Sequence, residues 1–268
     1  ASVQLLATLD GRADFSLSVL DRRFTKRSLH IDLLSELSPI ASIQITPTDS
    51  TELSVIWRSA ASVNFQLPVR VDIEKVGDLR FEIEGTGLFT PDQLVVAAAQ
   101  TWGRWTVTGA ATWARWSQLP PMAPRIDLDI DNSVFASDSG NDQLIVVRNR
   151  PVPMAAKDIL VPRVGVQWQA TEVVRARAGA RYRPTPLPKA DGTANYLDAP
   201  AITTALGVGF VLRDDQLPGR APLTVDVGLG WTKLQRRTVT KRDPNDPVVA
   251  TSIAGDNLRL AVTLHHDF

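Results

Sequence analysis

The sequence contains no cysteine. Disulfide frameworks, thiolate nucleophiles and cysteine-ligated zinc sites are therefore excluded. Histidine is scarce: His30, His265 and His266 are the whole supply. The last two are adjacent, so on a strand they point to opposite faces and cannot share a metal ion. His30 has no partner at ligand spacing. There is no excess charge of one sign. The 29 basic and 29 acidic side chains cancel, whereas a nucleic-acid binder carries a basic surplus. No run of about 20 mostly apolar residues exists, which excludes a membrane-crossing helix. The longest uncharged apolar stretch, Ala199–Leu212, is diluted by Thr and Gly. Enzyme signatures are missing too. There is no Gly-x-Ser-x-Gly elbow, no phosphate loop and no His-Glu-x-x-His. These absences point to a non-enzymic protein with no catalytic residues, no cofactor and no metal.

None of them excludes a membrane barrel. A barrel strand crosses with roughly 9–11 residues, about half of them apolar. Such a chain has the mean hydropathy of a soluble protein, and here it is −0.05. With 44% apolar and 22% charged residues the chain is not disordered. Its 268 residues allow one large domain or two small ones. Because it begins at Ala1 without a leader, the expectation is that a signal peptide has been removed or that the natural N-terminus differs.

What is present is a period of two. Leu258, Leu260, Val262, Leu264, His266 and Phe268 alternate with Arg259, Ala261, Thr263, His265 and Asp267. Leu223, Val225, Val227, Leu229 and Trp231 alternate with Thr224, Asp226, Gly228, Gly230 and Thr232. Val174, Ala176, Ala178, Ala180 and Tyr182 alternate with Arg175, Arg177, Gly179, Arg181 and Arg183. One face of each segment is apolar and the other small or polar, which is the strand pattern. Strands are expected at about 36–46, 53–66, 92–101, 105–117, 158–170, 173–183, 200–212, 222–236 and 254–268. A further hairpin over 69–88 is expected to project beyond the membrane. Residues 2–20 hold either two strands around Asp10–Gly11 or part of a long loop.

The connections alternate in length. Short ones are Thr48–Thr51, Trp102–Arg104 and Thr171–Glu172. Long ones are Gln118–Lys157, Pro184–Ala199 and Arg237–Ser252. Short turns at one end and long loops at the other describe an outer-membrane barrel. Trp102, Trp105 and Trp168 lie near short turns, while Trp113, Trp116 and Trp231 lie toward long loops, as two aromatic girdles would. The fold class expected is all-β, an antiparallel transmembrane β-barrel of the outer-membrane type.

The order of several short segments resembles the FadL/TodX family of outer-membrane transporters for long-chain fatty acids and other hydrophobic compounds. Leu53–Phe65, with Trp57-Arg58-Ser59, is similar to the family's strand with a Tyr-Arg-Ser step. Thr90-Pro91 and then Trp113–Leu119 resemble its Trp-Ser hairpin. Val161–Gly165, followed by Arg177–Pro188, resembles its strand pair ending in a Ser-Pro-Val-Pro loop, with Thr185 in place of Ser. Asn195–Asp198 and the Gly-rich strand 202–212 continue the order, so the likeness spans roughly residues 36–268.

The resemblance implies a fourteen-stranded barrel with an N-terminal hatch, of which this chain supplies about nine to eleven strands. It implies a single barrel domain over 1–268, with the first strands and the hatch absent. Strand parity agrees. Counting back from a last strand that ends in the periplasm starts the first expected strand outside the cell. The chain is therefore expected to be the C-terminal part of a transporter or a diverged short relative. Also implied are the bacterial outer membrane, passive transport of long-chain fatty acids or other hydrophobic small molecules, and contact with outer-membrane lipid and lipopolysaccharide. Recognition of the terminal Phe268 by the barrel assembly machinery follows as well. The alternative is a structural or partner-binding barrel that anchors a surface complex without transport, filled by a protein partner or a missing N-terminal segment.

The ligand-binding candidates are the inward arginines Arg163, Arg175, Arg177, Arg181 and Arg183, with Arg58 and Arg115 as further members. Paired guanidinium donors suit an anionic head group such as a carboxylate. The competing reading is a solvated lumen wall in which carboxylates such as Asp226 or Asp267 pair with them. Asp127, Asp129 and Asp131 share one strand face. They lack the Gly and distal Glu of a calcium loop, so a polar rim strand is expected there.

Overall fold

In the computed structural model the described residues are 2–18, 23–73, 77–121, 125–130, 145–148, 153–189, 196–212, 223–241 and 249–266. Their alternating sequence folds into fourteen strands. In chain order these are β1 (Ser2–Ser18), β2 (Arg23–Thr48), β3 (Thr51–Arg58), β4 (Ala61–Ile73), β5 (Gly77–Thr90), β6 (Gln93–Trp102), β7 (Trp105–Ala114), β8 (Arg125–Ile130), β9 (Ile145–Arg148), β10 (Ile159–Gln169), β11 (Val174–Arg183), β12 (Ala201–Leu212), β13 (Leu223–Thr240) and β14 (Ala250–His266). A single 3₁₀ turn, Trp116–Gln118, is the one helical element among the described residues. Among the described residues no helix is long and apolar enough to cross a membrane.

The chain divides into two compact units. The first comprises residues 1–40, 59–91 and 118–155. Its strand order is β2-β1-β4-β5-β8-β9. All its neighbours are antiparallel except β1 and β4, which run parallel. The second comprises residues 41–58, 92–117 and 156–268. Its order is β14-β13-β12-β11-β10-β7-β6-β3 and then the end of β2. These are the nine strands that the periodicity predicts. The sheet does not close among the described residues, since β14 has no neighbour beyond β13.

The two faces of the second unit follow the alternation. Leu206, Leu260 and their same-face neighbours are exposed, at 63% and 73% for these two. In water such a surface would be covered, and in hydrocarbon it is already solvated. Trp102, Trp105 and Trp168 stand in register on β6, β7 and β10, with the Trp105 and Trp168 rings stacked 5.7 Å apart. Eight residues further along β7, Trp113 lies in register with Leu94 and Leu160. At about 3.3 Å per residue the separation is roughly 26 Å along the strand, the scale of a bilayer's apolar band. The hairpin between β6 and β7 turns on Gly103, whose φ of 55° is left-handed and favours glycine.

The structure departs from the sequence reading at several points. The run 53–66 is not one strand: β3 ends at Arg58, and β4 starts at Ala61 in the other unit. The stretch 2–18 is one strand, with no turn at Asp10–Gly11. The expected loop 118–157 contains β8 and β9, because Arg125–Ile130 alternates as strictly as the longer strands. The 69–88 hairpin forms, with Val71 opposite Leu79. Trp116 packs against buried Ala114, Ile159 and Val161 rather than joining the outer girdle. Asp131, Asp267 and Phe268 lie outside the described residues.

Candidate ligand-binding surface

On β10 to β13 the inner face is built from small residues at its middle. Gly165 stands opposite Gly179, Gly179 opposite Ala205, and Ala205 opposite Gly230. One row away, Gly207 faces Gly228. The smallness is enforced at Gly165, where an added Cβ would come 2.6 Å from the Thr108 hydroxyl. The result is a shallow apolar floor between two levels of arginine.

At the short-turn side of that floor, Arg175 and Arg177 both reach Asp226, two strands away. Arg175 Nη2 donates to Asp226 Oδ2 at 3.1 Å, and Arg177 Nη1 to Asp226 Oδ1 at 3.1 Å. Arg177 Nε also donates to Gln167 Oε1 at 2.8 Å. Gly209, on the strand between, permits this reach: a Cβ there would meet Arg175 Nε at 2.7 Å. Charge-assisted pairs of this kind hold both guanidinium groups in place.

At the long-loop side the ladder closes on a loop. Arg183 makes a bidentate pair with Asp198, at 3.0 and 2.9 Å, and also donates to Ala199 O at 3.0 Å. Arg237 Nη1 donates to Asp198 O at 2.8 Å and to Thr185 Oγ1 at 3.2 Å, while its Nη2 donates to Leu187 O at 3.0 Å. One guanidinium thus ties both ends of the 184–199 loop to the inner wall, and Lys157 N adds a bond to Pro186 O at 2.8 Å. Burial opposes the Asp198 charge, but hydrogen bonds from Arg183 and Thr185 and the Arg183 field outweigh it and hold the carboxyl below the usual Asp range. At the neighbouring strand entry Asp158 accepts from Ser117 N at 2.9 Å, and the bonds from Ser117 likewise lower its pKa.

Arg163 and Arg181 stand directly opposite each other. Arg181 donates weakly to Thr203 Oγ1 at 3.4 Å. Arg163 and Arg58 have no hydrogen-bond partner among the described residues, and Arg58 lies at the end of β3 opposite Gln93. Arg115 departs from the predicted group. Just past the end of β7, it pairs with Asp92 at 3.3 Å and lies over the Trp113 ring, away from the ladder. Asp127 pairs with Arg125 at 2.7 Å. No cluster of three potential metal ligands occurs among the described residues. The sequence reading missed two inner arginines. Arg259 could have been found from its place between Leu258 and Leu260, and it bonds Asn257 at 2.9 Å. Arg237 had no such signal.

Beside the ladder, the inner face of β3, β6, β7 and β10 forms an open cavity of about 340 Å³. Ala97, Ala99 and Ala110 line it, with Glu52 and Arg163 as its charged residues. The surface offers fixed donors beside small apolar floors, an arrangement suited to binding.

No protein-family model matches the sequence, and no curated protein matches it. Solved structures do match the fold. A FadL homologue of Pseudomonas aeruginosa superposes with a TM-score of 0.54 at 15% identity, over 88% of this chain and 54% of that one. The CymD monoaromatic hydrocarbon channel gives 0.51 at 13% identity, over 89% and 53%. The Pseudomonas putida toluene transporter TodX gives 0.52 at 14% identity, over 87% and 49%. The chain therefore spans about half the length of these structures. With its nine-stranded antiparallel wall, apolar on one face and small or polar on the other, the chain has a FadL-like fold.

Proposed function

We propose that the chain serves passive transport of hydrophobic small molecules, long-chain fatty acids among them, across the bacterial outer membrane. The observation that carries this reading is the Gly/Ala floor on the inner face, bordered by fixed guanidinium groups, within a FadL-like fold. An apolar solute gains roughly 25 cal/mol for each Å² it removes from water on such a floor. The floor is shallow, so the solute is held loosely enough to move on. Arginines at both borders orient a carboxylate without a bond being made or broken. On this reading the protein is not an enzyme, and the outer face meets lipid and lipopolysaccharide after insertion by the barrel assembly machinery.

Uptake tests it. The full chain is expressed in a Gram-negative host that lacks its own uptake of hydrophobic compounds, and entry of labelled oleate and toluene is followed. Entry above the empty-vector level that rises linearly with the external gradient supports transport. Correct outer-membrane assembly with no gain for either solute would overturn it and favour the alternative, a barrel that anchors a partner. The tied 184–199 loop favours that second reading, because a rigid inner edge is what an anchoring wall needs.

A further inference from the structure

The inner-face arginines differ in how they are compensated. Arg175 and Arg177 share Asp226, and Arg183 holds Asp198. Arg163 has no hydrogen bond or ion pair among the described residues, and the residue opposite it on β11 is another cation, Arg181. Like charges directly opposite destabilise a sheet pair. An anion placed between them removes that penalty.

Arg163 also borders the 340 Å³ cavity, a volume within the usual range for small-molecule sites. The floor there is Ala97, Ala99 and Ala110, on two adjacent strands, next to Gly165. Ala97 to Ala99 spans two residue steps, roughly 7 Å, and three neighbouring strands span roughly 10 Å. That footprint takes one ring or a short chain. Glu52 also lines the cavity and accepts from Gln44 Nε2 at 2.5 Å. No ion pair joins it to Arg163. The cavity is therefore polarised, positive at Arg163 and negative at Glu52, with an apolar floor.

We propose that this cavity is a binding subsite for a compact hydrophobic monoanion, with its carboxylate on Arg163 and its apolar body on the alanine floor. The proposal rests on the transport reading above and names a solute class for it. Glu52 repels the anionic end and so fixes the direction in which the ligand lies. A neutral hydrocarbon of the same size fits the floor but leaves Arg163 unpaired. A long acyl chain overruns the floor.

Titration calorimetry on the full chain refolded in detergent tests this, with benzoate and toluene as probes that differ by a carboxylate for a methyl. The wild-type protein is expected to bind benzoate saturably, and at least tenfold more tightly than toluene. Arg163→Gln is expected to weaken benzoate at least tenfold and leave toluene within twofold. Arg163→Lys, which keeps the charge, restores part of the loss and guards against a folding artefact. Ala110→Leu, which fills the floor, weakens both probes. Lys233→Gln, on the outer face, leaves both within twofold. Heat-modifiable migration verifies that each variant is folded. Absence of saturable benzoate binding overturns the proposal, as does a benzoate affinity unchanged in Arg163→Gln or lowered equally in Lys233→Gln. The outcome is separable from the transport reading. Failed benzoate binding with intact oleate uptake sinks the subsite alone, and intact binding with no uptake of any solute sinks transport alone.

Discussion

The outer and inner faces of the same strands obey opposite rules. On the outer face the side chains are large, apolar and interchangeable. Leu206, Leu229 and Leu260 make no directional contact, and any residue that hydrocarbon solvates would serve. The inner face is specific, position by position. Gly209 must be small for Arg175 to reach Asp226, and Arg237 must carry a planar fork to tie three acceptors of one loop. The comparison teaches that the outer face is encoded redundantly and the inner face is not.

Charge placement breaks this symmetry most strongly. Leu206→Arg is expected to cost about 2–4 kcal/mol, the penalty of a cation near the bilayer midplane, and to reduce the assembled, heat-modifiable form. Thr224→Arg, on the inner face of the neighbouring β13 and two residues from Asp226, should leave assembly intact. Equal damage from both would mean that neither face meets lipid. The next effect is expected at Arg237→Ala. It removes the fork that binds Thr185, Leu187 and Asp198, a loss of about 1.5–3 kcal/mol for a charged donor set. Protease cleavage within the 184–199 loop should speed up while the strands stay protected. A cleavage rate equal to wild type would show that the loop is held by other means.

Removing one ring of the Trp105–Trp168 stack should cost about 0.5–1.5 kcal/mol, read as a small fall in the urea midpoint of refolding into vesicles. A larger fall from Trp116→Ala than from Trp168→Ala would agree with their different surroundings, since Trp116 packs on buried residues and Trp168 on the outer face. The smallest effect concerns acid. Asp198 has a folded-state pKa below its ordinary value of about 4. Its stabilisation is therefore complete above that value and is lost as pH falls through the lower, folded-state pKa. Loop cleavage should rise on acidification below about pH 4 in the wild type, and Asp198→Asn should flatten that rise. A wild-type profile with no acid limb would contradict the role of the Arg183 pair.

Much of this was legible in the sequence. The nine strands of the second unit and the shared face of Arg163, Arg175, Arg177, Arg181 and Arg183 follow from alternation alone. Alternation says nothing about register, however. That Asp226 meets Arg175 and Arg177 depends on how β12 aligns both neighbours, which about fifty intervening residues decide. The break between β3 and β4 was hidden because Ser59 and Ala60 fit a strand as well as a link. Arg115 was misplaced because it lies just past the end of β7, where the strand's faces no longer apply.

Arg237 has a different lesson. Between Leu234 and Arg237, β13 advances three residues while β14 moves two, from Gly255 to Ile253. The extra residue works as a phase shift in a two-letter code. Ahead of it the even-numbered positions look inward, and behind it the odd ones do, which is why Arg237 and buried Val239 share the inner side with Thr232. A single deletion at 235 or 236 would remove the extra residue and keep Arg237 inward opposite Ile253, whereas a single insertion would set it opposite Ser252 on the outer side, losing the loop tie through a change that leaves every side chain named in that tie intact. Loss of the one extra residue should therefore be tolerated in this segment and gain of another should not, while the long loops tolerate changes of any length.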